Sequence, residues 1–486
     1  VTEAAHEPES HGPAGPGPLR RRAALLAPIL AIAIWVSPLS LEPDAHRLAG
    51  IFVAVIILWV TEVIPIAVTA LLIAPLMITA GITDAKTAFA PYADPLLFLF
   101  VGGFMIARSM TRHGLDRRIA MAMVSMPGIR GRPARVRLAF MATGMILSMW
   151  ISNTATTAIL LPILIGLLED SGNEEVRRAE TGSLLAVAYG ASIGGLGTPV
   201  GSPPNLIAMG FLADRGIELS FFQWMAVGLP AAIVLVGATF VLFHFKHPPV
   251  PMEEPDRSEA TRPWSRGEIV TAISFGLAVI GWMTPGIFHA ADLPGAETVK
   301  KLLPGGGVAI VAASVLYFVP DEGTREPVLP WREGVKIDWG LILLFGGGIS
   351  LGRQMFDTGL AEAIASGFVA LTGVSELWTL VVIVTVFTIF FTETCSNTAT
   401  SNMLSPLVIA IAVELDVSPL PPVLAVGLAA SCAFMLPIAT GPNAIAYGTG
   451  RVEQTTMIRV GFLLNLIAAV LIVILLRILC PLYGWS

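Results

Sequence analysis

Apolar residues run through this chain in long blocks separated by short polar stretches. Eleven blocks, at about 23–41, 46–64, 65–81, 95–124, 183–210, 221–245, 268–288, 304–320, 338–368, 421–448 and 457–480, read as bilayer crossings. Each comes near the roughly 20 mostly apolar residues that a spanning helix needs. Two further apolar segments, 134–169 and 375–413, behave differently. Each turns polar at its centre, and each half is about 15 residues, too short to cross. Each reads as a hairpin that enters and leaves on one side, its tip buried in protein or lining a cavity. The pattern predicts an all-α polytopic membrane protein with 11 transmembrane helices and two re-entrant hairpins.

The polar centres repeat. Ser152-Asn153-Thr154-Ala155-Thr156 returns as Ser396-Asn397-Thr398-Ala399-Thr400, 244 positions later. Leu99-Phe100-Val101-Gly102-Gly103 matches Leu344-Phe345-Gly346-Gly347-Gly348 at an offset of 245, as do Arg108, Gly114 and Leu115 with Arg353, Gly359 and Leu360. Gly201-Ser202-Pro203-Pro204-Asn205 is similar to Ala439-Thr440-Gly441-Pro442-Asn443 at an offset of 238. A polar motif duplicated inside a membrane points to a binding site between two repeats.

Composition agrees with the membrane reading. Charged residues make up 13% of the chain, against about 25% in soluble domains. The placement of charge says more than the net value of −6. With the N-terminus in the cytosol, most of the 29 Lys and Arg residues fall on the cytosolic side. The densest cluster is Arg112, Arg117, Arg118, Arg130, Arg132, Arg135 and Arg137, just before the first hairpin, which therefore opens to the cytosol. Five crossings separate the hairpins, so the second opens outside and the repeats are inverted, with the C-terminus outside. Residues 1–22 read as a disordered cytosolic tail rather than a signal peptide, and 247–267 as a cytosolic linker between halves. Cys395, Cys432 and Cys480 are isolated and offer neither a metal-ligand spacing nor a disulfide framework.

Ser, Asn and Thr are strong helix N-caps. The second half of each hairpin is expected to begin at its motif, with free backbone N–H groups and the positive end of the helix dipole, where anions bind. Prolines and glycines at 198–205 and 437–443 predict two broken helices and two more helix N-termini. A buried cap or an ordinary proline kink explains one copy; recurrence in inverted repeats favours a site. No Lys or Arg lies near these four segments in the sequence, and Arg108 and Arg353 read as paired or snorkelling structural charges. A dianion held at mid-membrane without counter-charge is costly. Small cations bound through oxygen ligands supply that charge. Ser148, Ser152, Asn153 and Gly201 can form one cage, and Thr392, Asn397 and Ala439, with the Cys395 carbonyl, its twin. Glu62 reads as a maker of structural hydrogen bonds; Glu393 either does the same or tunes the second cage. No paired intramembrane Asp, His/Glu metal site or Ser with a positioned base is present, so the reading is a transporter and not an enzyme. Opposed dead-end hairpins also fit a passive channel poorly.

These hairpins, the Gly201–Asn205 break and Trp59-Val60-Thr61-Glu62-Val63-Ile64-Pro65 with Thr69-Ala70-Leu71-Leu72 resemble the divalent anion–sodium symporter family, over nearly the whole chain after residue 40. The resemblance implies a homodimeric elevator in the inner cell membrane, of the bacterial dicarboxylate transporter type and without nucleic-acid partners. It implies a scaffold domain at 23–132 and 268–372 and a transport domain at 133–246 and 373–486. Substrate contacts carried over are Ser152, Asn153, Thr154, Ser396, Asn397, Thr398 and Thr440, with at least two sodium sites at the cages named above. The expected activity is sodium-coupled symport of succinate, fumarate or malate. Alternatives on the same fold are a sodium-independent exchanger and a sodium-coupled sulfate or citrate carrier. Two departures stand out. Gly441 replaces a proline usual in the family, which is expected to loosen the pocket wall, and Cys395 replaces a small residue.

Overall fold

The computed structural model describes residues 22, 24–126, 129, 132–168, 174–249 and 261–485. The expected tail, except Arg22, and the middle of the expected linker lie outside the described residues. The described residues are helical, with no β-strand among them. Helices α1 (Leu26–Val36), α2 (Pro43–Thr61) and α3 (Ile66–Thr79) lead into α4 (Pro95–His113) and α5 (Leu115–Val124). The helix pair α6 (Pro133–Ser148) and α7 (Asn153–Leu167) follows, then α8 (Glu174–Gly194), α9 (Pro203–Ala213) and α10 (Phe221–Lys246). The second half holds α11 (Arg266–Ala290), α12 (Gly305–Phe318), α13 (Trp339–Asp357) and α14 (Leu360–Thr372). It ends with the pair α15 (Leu377–Thr392) and α16 (Asn397–Glu414), then α17 (Leu420–Ala429), α18 (Gly441–Gly448) and α19 (Gln454–Leu482).

Five helical runs among the described residues are long and apolar enough to cross a bilayer: α2, residues 85–113, α10, α11 and α19. Two bent pairs also pass, residues 296–302 with α12 at 54° and α14 with α15 at 98°. Length and composition thus establish a multi-pass membrane protein. Both expected hairpins are pairs of packed helices linked by residues 149–152 and 393–396. Both expected broken helices are broken: α8 gives way to a tight turn at Gly195–Gly197 before α9, and α17 is separated from α18 by 430–440.

The expected spans 95–124 and 338–368 are each two helices, split at Gly114 (φ 70°) and Gly359 (φ 77°). Both glycines take the left-handed conformation that closes a helix C-terminus. The helices beyond them carry charge in their first turns, Asp116 and Glu362, unlike the apolar runs before them. The breaks fall at the same repeat offset.

The first hairpin is tied to its neighbours by a buried cation. Arg137 on α6 is 1% exposed. It donates to the Phe243 and His247 carbonyls at the end of α10, and to the Ala179 carbonyl and Ser183 hydroxyl of α8. Carbonyls at a helix C-terminus lack intrahelical partners and favour a cation. Hydrogen bonds to charged groups contribute about 1.5–3 kcal/mol each. Arg137→Ala is therefore expected to destabilise the protein by roughly 3 kcal/mol or more, read as a lower melting temperature in detergent. An unchanged melting temperature would rule out this tie.

Candidate functional site

Four helix N-termini meet at one cavity of about 760 Å³. Residues 152–155 begin α7, 201–203 begin α9, 396–398 begin α16, and 439–442 begin α18; all line it. The cavity thus gathers every expected substrate contact, Ser152, Asn153, Thr154, Ser396, Asn397, Thr398 and Thr440, together with Gly201, Cys395 and Ala439. Ser148 and Thr392 lie behind the tips, each 0% exposed. Ser148 donates to Asn153 Oδ1, and Thr392 donates to Asn397 Oδ1 at 2.7 Å. The two expected cages thus share a hydroxyl–amide pair at an offset of 244, and Thr392 also donates to the Ala430 carbonyl at 2.8 Å.

Behind each expected cage lies an unwound segment held by an asparagine. Asn205 Nδ2 donates to the Gly195 and Thr198 carbonyls, both at 2.8 Å. Asn443 Nδ2 donates to the Ala433 and Leu436 carbonyls, both at 3.0 Å. Both pairings match at the offset of 238. Close packing concentrates oxygen in the first segment: a Cβ at Gly195 would lie 2.7 Å from Asn153 Oδ1 and 3.0 Å from the Gly201 carbonyl oxygen. Asn205 and Asn443 stand in the recurring breaks, but their clamping role was not legible without the turns they bridge.

Glu393 has a structural role that differs between the halves. Its carboxylate accepts the backbone N–H groups of Phe434, Met435 and Leu436 at 2.7, 2.8 and 3.1 Å, and Asn465 Nδ2 at 2.7 Å. Its counterpart in the first repeat is Met149, whose backbone carbonyl accepts from the Thr198 hydroxyl. The second segment is thus held by its N–H groups on Glu393 and by its carbonyls on Asn443.

Two of the expected caps form and two do not, and the surroundings of the site correct further expectations. Ser152 caps α7 by accepting from Ala155 N at 3.1 Å, and Thr440 caps α18 by accepting from Asn443 N. Ser396 sits at the N-cap of α16 without a side-chain cap bond, and the Ser202 hydroxyl bonds Ser431 instead. The basic residues are closer than the sequence indicated, since Arg108 and Lys336 line the same cavity. Folding brings them there from outside the four motifs. Arg108 pairs with Glu333 at 2.7 Å, as does Lys336. Hydrogen bonds from Lys336 and Arg108 pull the Glu333 carboxyl down to about 2, so it stays ionised beside them. Arg353 pairs with Asp214, so both repeat-matched arginines are paired, as expected. Glu62 is exposed at the cavity in the left-handed conformation (φ 47°), and its side chain makes no hydrogen bond among the described residues. Nor does Gly441 leave the wall open: a Cβ there would collide with Thr154, whose side chain fills the space.

The family model described as the sodium:sulfate symporter transmembrane region matches residues 19–485. The chain belongs to this divalent anion–sodium symporter family. As a family member it is a membrane transporter and not an enzyme. It is 32% identical over 483 residues to the sodium-dependent dicarboxylate transporter SdcS of Staphylococcus saprophyticus, covering 94% of this chain and 91% of that one. An SdcS of Staphylococcus aureus strain USA300 is 32% identical over 481 residues, covering 94% and 90%. An uncharacterized transporter of Haemophilus influenzae is 34% identical over 452 residues, covering 91% and 94%. Among solved structures, the Alcanivorax borkumensis YdaH transporter superposes with a TM-score of 0.55 at 15% identity, over 96% of this chain and 98% of that one.

Proposed function

We propose that this symporter-family protein couples sodium entry to uptake of C4-dicarboxylates such as succinate, fumarate or malate. The observation that carries the reading is the meeting of both Ser-Asn-Thr motifs at one cavity, each backed by a hydroxyl–asparagine pair. Helix N-termini supply only partial positive charge. Two sodium ions in the paired cages balance a dianion. The names of the SdcS relatives favour sodium and dicarboxylate over exchange or sulfate. In this reading Ser152, Asn153, Thr154, Ser396, Asn397, Thr398 and Thr440 bind carboxylates. Ser148, Ser152, Asn153 and Gly201 hold one sodium ion; Thr392, Cys395, Asn397 and Ala439 hold the other.

Transport proceeds by an elevator motion in a homodimer of the inner membrane. The two helix hairpins, re-entrant from opposite sides, move with α8–α10 and α17–α19 against a scaffold of α1–α5 and α11–α14. The N-terminus is cytosolic and the C-terminus outside. The cavity, lined by Thr111 and Lys336 near the basic end of the molecule, then opens to the cytosol.

A competition panel tests the substrate class. Unlabelled succinate is expected to suppress sodium-driven uptake of labelled succinate in proteoliposomes, with citrate and sulfate far weaker. Equal competition by sulfate would refute the assignment. Gly441→Ala is expected to push Thr154 into the cavity and raise the succinate KM about tenfold, on the scale of ~1.4 kcal/mol per decade. An unchanged KM would show that Thr154 lies away from the substrate.

A further inference from the structure

The two repeats differ at one place in a way that gives the other transport state. On α13, the face formed by Phe345, Ile349, Gly352, Arg353 and Phe356 is covered by α9 and the residues after it. A Cβ at Gly210 would lie 2.5 Å from Phe345 Cζ, so the glycine seats the ring directly. Gly352 seats Phe211 in the same manner. Arg353 is paired with Asp214, with side chains 35% and 14% exposed, and the Arg215 guanidinium stands 3.4 Å over the Phe356 ring.

The same face of α4, 245 positions earlier, is Phe100, Phe104, Ala107, Arg108 and Thr111, and all five line the cavity. Its counterpart for α9 is α18. Gly448 corresponds to Gly210 at the offset of 238, yet a Cβ at Gly448 would meet nothing within 4 Å. Asp214 and Arg215 correspond to Val452 and Glu453, and Glu453 is exposed, with no side-chain partner among the described residues. One repeat has its α9–α13 contact closed; the other has its α18–α4 contact open. Inverted repeats exchange such roles when the accessible side changes.

We propose that Arg353 and Arg108 are positioning residues that hold opposite ends of the transport cycle. Arg353–Asp214 holds the present state. In the opposite state α18 closes on α4, Gly448 seats Phe100, and Arg108 leaves Glu333 to pair with Glu453. The inference rests on the elevator reading and adds the residues that fix its two ends. It requires a ligand-independent two-state element biased by each pair.

The test is the rate at which a membrane-impermeant maleimide modifies a cysteine at Thr111 (T111C), which is open to the cavity here and covered in the opposite state. D214N and R353Q are each expected to slow modification about two- to fivefold, the upper part of the range for losing a partly exposed ion pair. E453Q is expected to speed it. The exchanged pair D214R/R353D restores the starting rate, which separates a state bias from misfolding. Shifts of all three single variants in one direction, or none with the exchanged pair folded, overturn the proposal. Labelling needs no transport, so absent sodium-driven uptake with these opposed shifts intact would sink the functional reading and leave the pairs standing.

Discussion

Asn397→Ala and Asn153→Ala are each expected to weaken sodium use and succinate use together. Each amide oxygen accepts a hydrogen bond from a buried hydroxyl, Thr392 or Ser148, while the residue itself borders the cavity. One side chain therefore fixes a cation ligand and a substrate wall at once. Truncation removes the ligand. At Ser148 it also leaves a 0% exposed hydroxyl without its acceptor, a loss of roughly 1–3 kcal/mol for a buried polar group, whereas Thr392 keeps the Ala430 carbonyl at 2.8 Å. Both the sodium half-saturation and the succinate KM are expected to rise about tenfold or more in proteoliposome uptake, at ~1.4 kcal/mol per decade. Loss of succinate uptake with unchanged sodium binding would contradict shared ligation. Ser148→Ala and Thr392→Val keep the asparagines, so smaller effects are expected, mainly on sodium.

The second large effect is expected at Glu393. Its carboxylate collects three consecutive backbone N–H groups and the Asn465 amide in a place 4% exposed. Glu393→Ala orphans these donors, at roughly 1–3 kcal/mol each, so little folded protein is expected in membranes. Glu393→Gln is the informative variant. One amide oxygen can still accept from Phe434, Met435 and Asn465, and only the bond to Leu436 is lost. Folding should survive while a negative charge disappears beside Thr392 and the segment leading to Ala439. The sodium half-saturation is then expected to rise about tenfold, ~1.4 kcal/mol, with a smaller change in succinate KM. A folded Glu393→Gln protein with unaltered sodium dependence would reduce Glu393 to a purely structural clamp.

Much of this architecture was legible because apolar runs mark the helices and because the repeats share short, unusual polar strings, although among the described residues only five runs and two bent pairs reach spanning length where eleven crossings were expected. The motif spacing located both helix pairs, both breaks and every cavity-lining residue assigned a substrate role. Local chemistry was less visible. The ends of α4 and α13 were missed because Gly114 and Gly359 stop a helix by backbone conformation, while hydropathy averages across them. Arg108 and Lys336 were placed away from the site because their motif distance in sequence is large; α4 and the link before α13 carry them to the same cavity. Glu393 could be read only as a charge next to a motif, since its partners lie 41 to 72 positions downstream. The expectation that Gly441 opens the wall failed because a side chain from the other repeat, Thr154, occupies the space.

The measurement that bears most directly on the account is uptake of labelled succinate into proteoliposomes carrying the wild-type protein, with external sodium replaced isosmotically by choline. The paired cages predict that uptake needs external sodium, with a sigmoidal sodium dependence, and falls to the protein-free level in choline. Succinate uptake that continues undiminished in choline would contradict sodium coupling and leave anion exchange on the same fold as the activity.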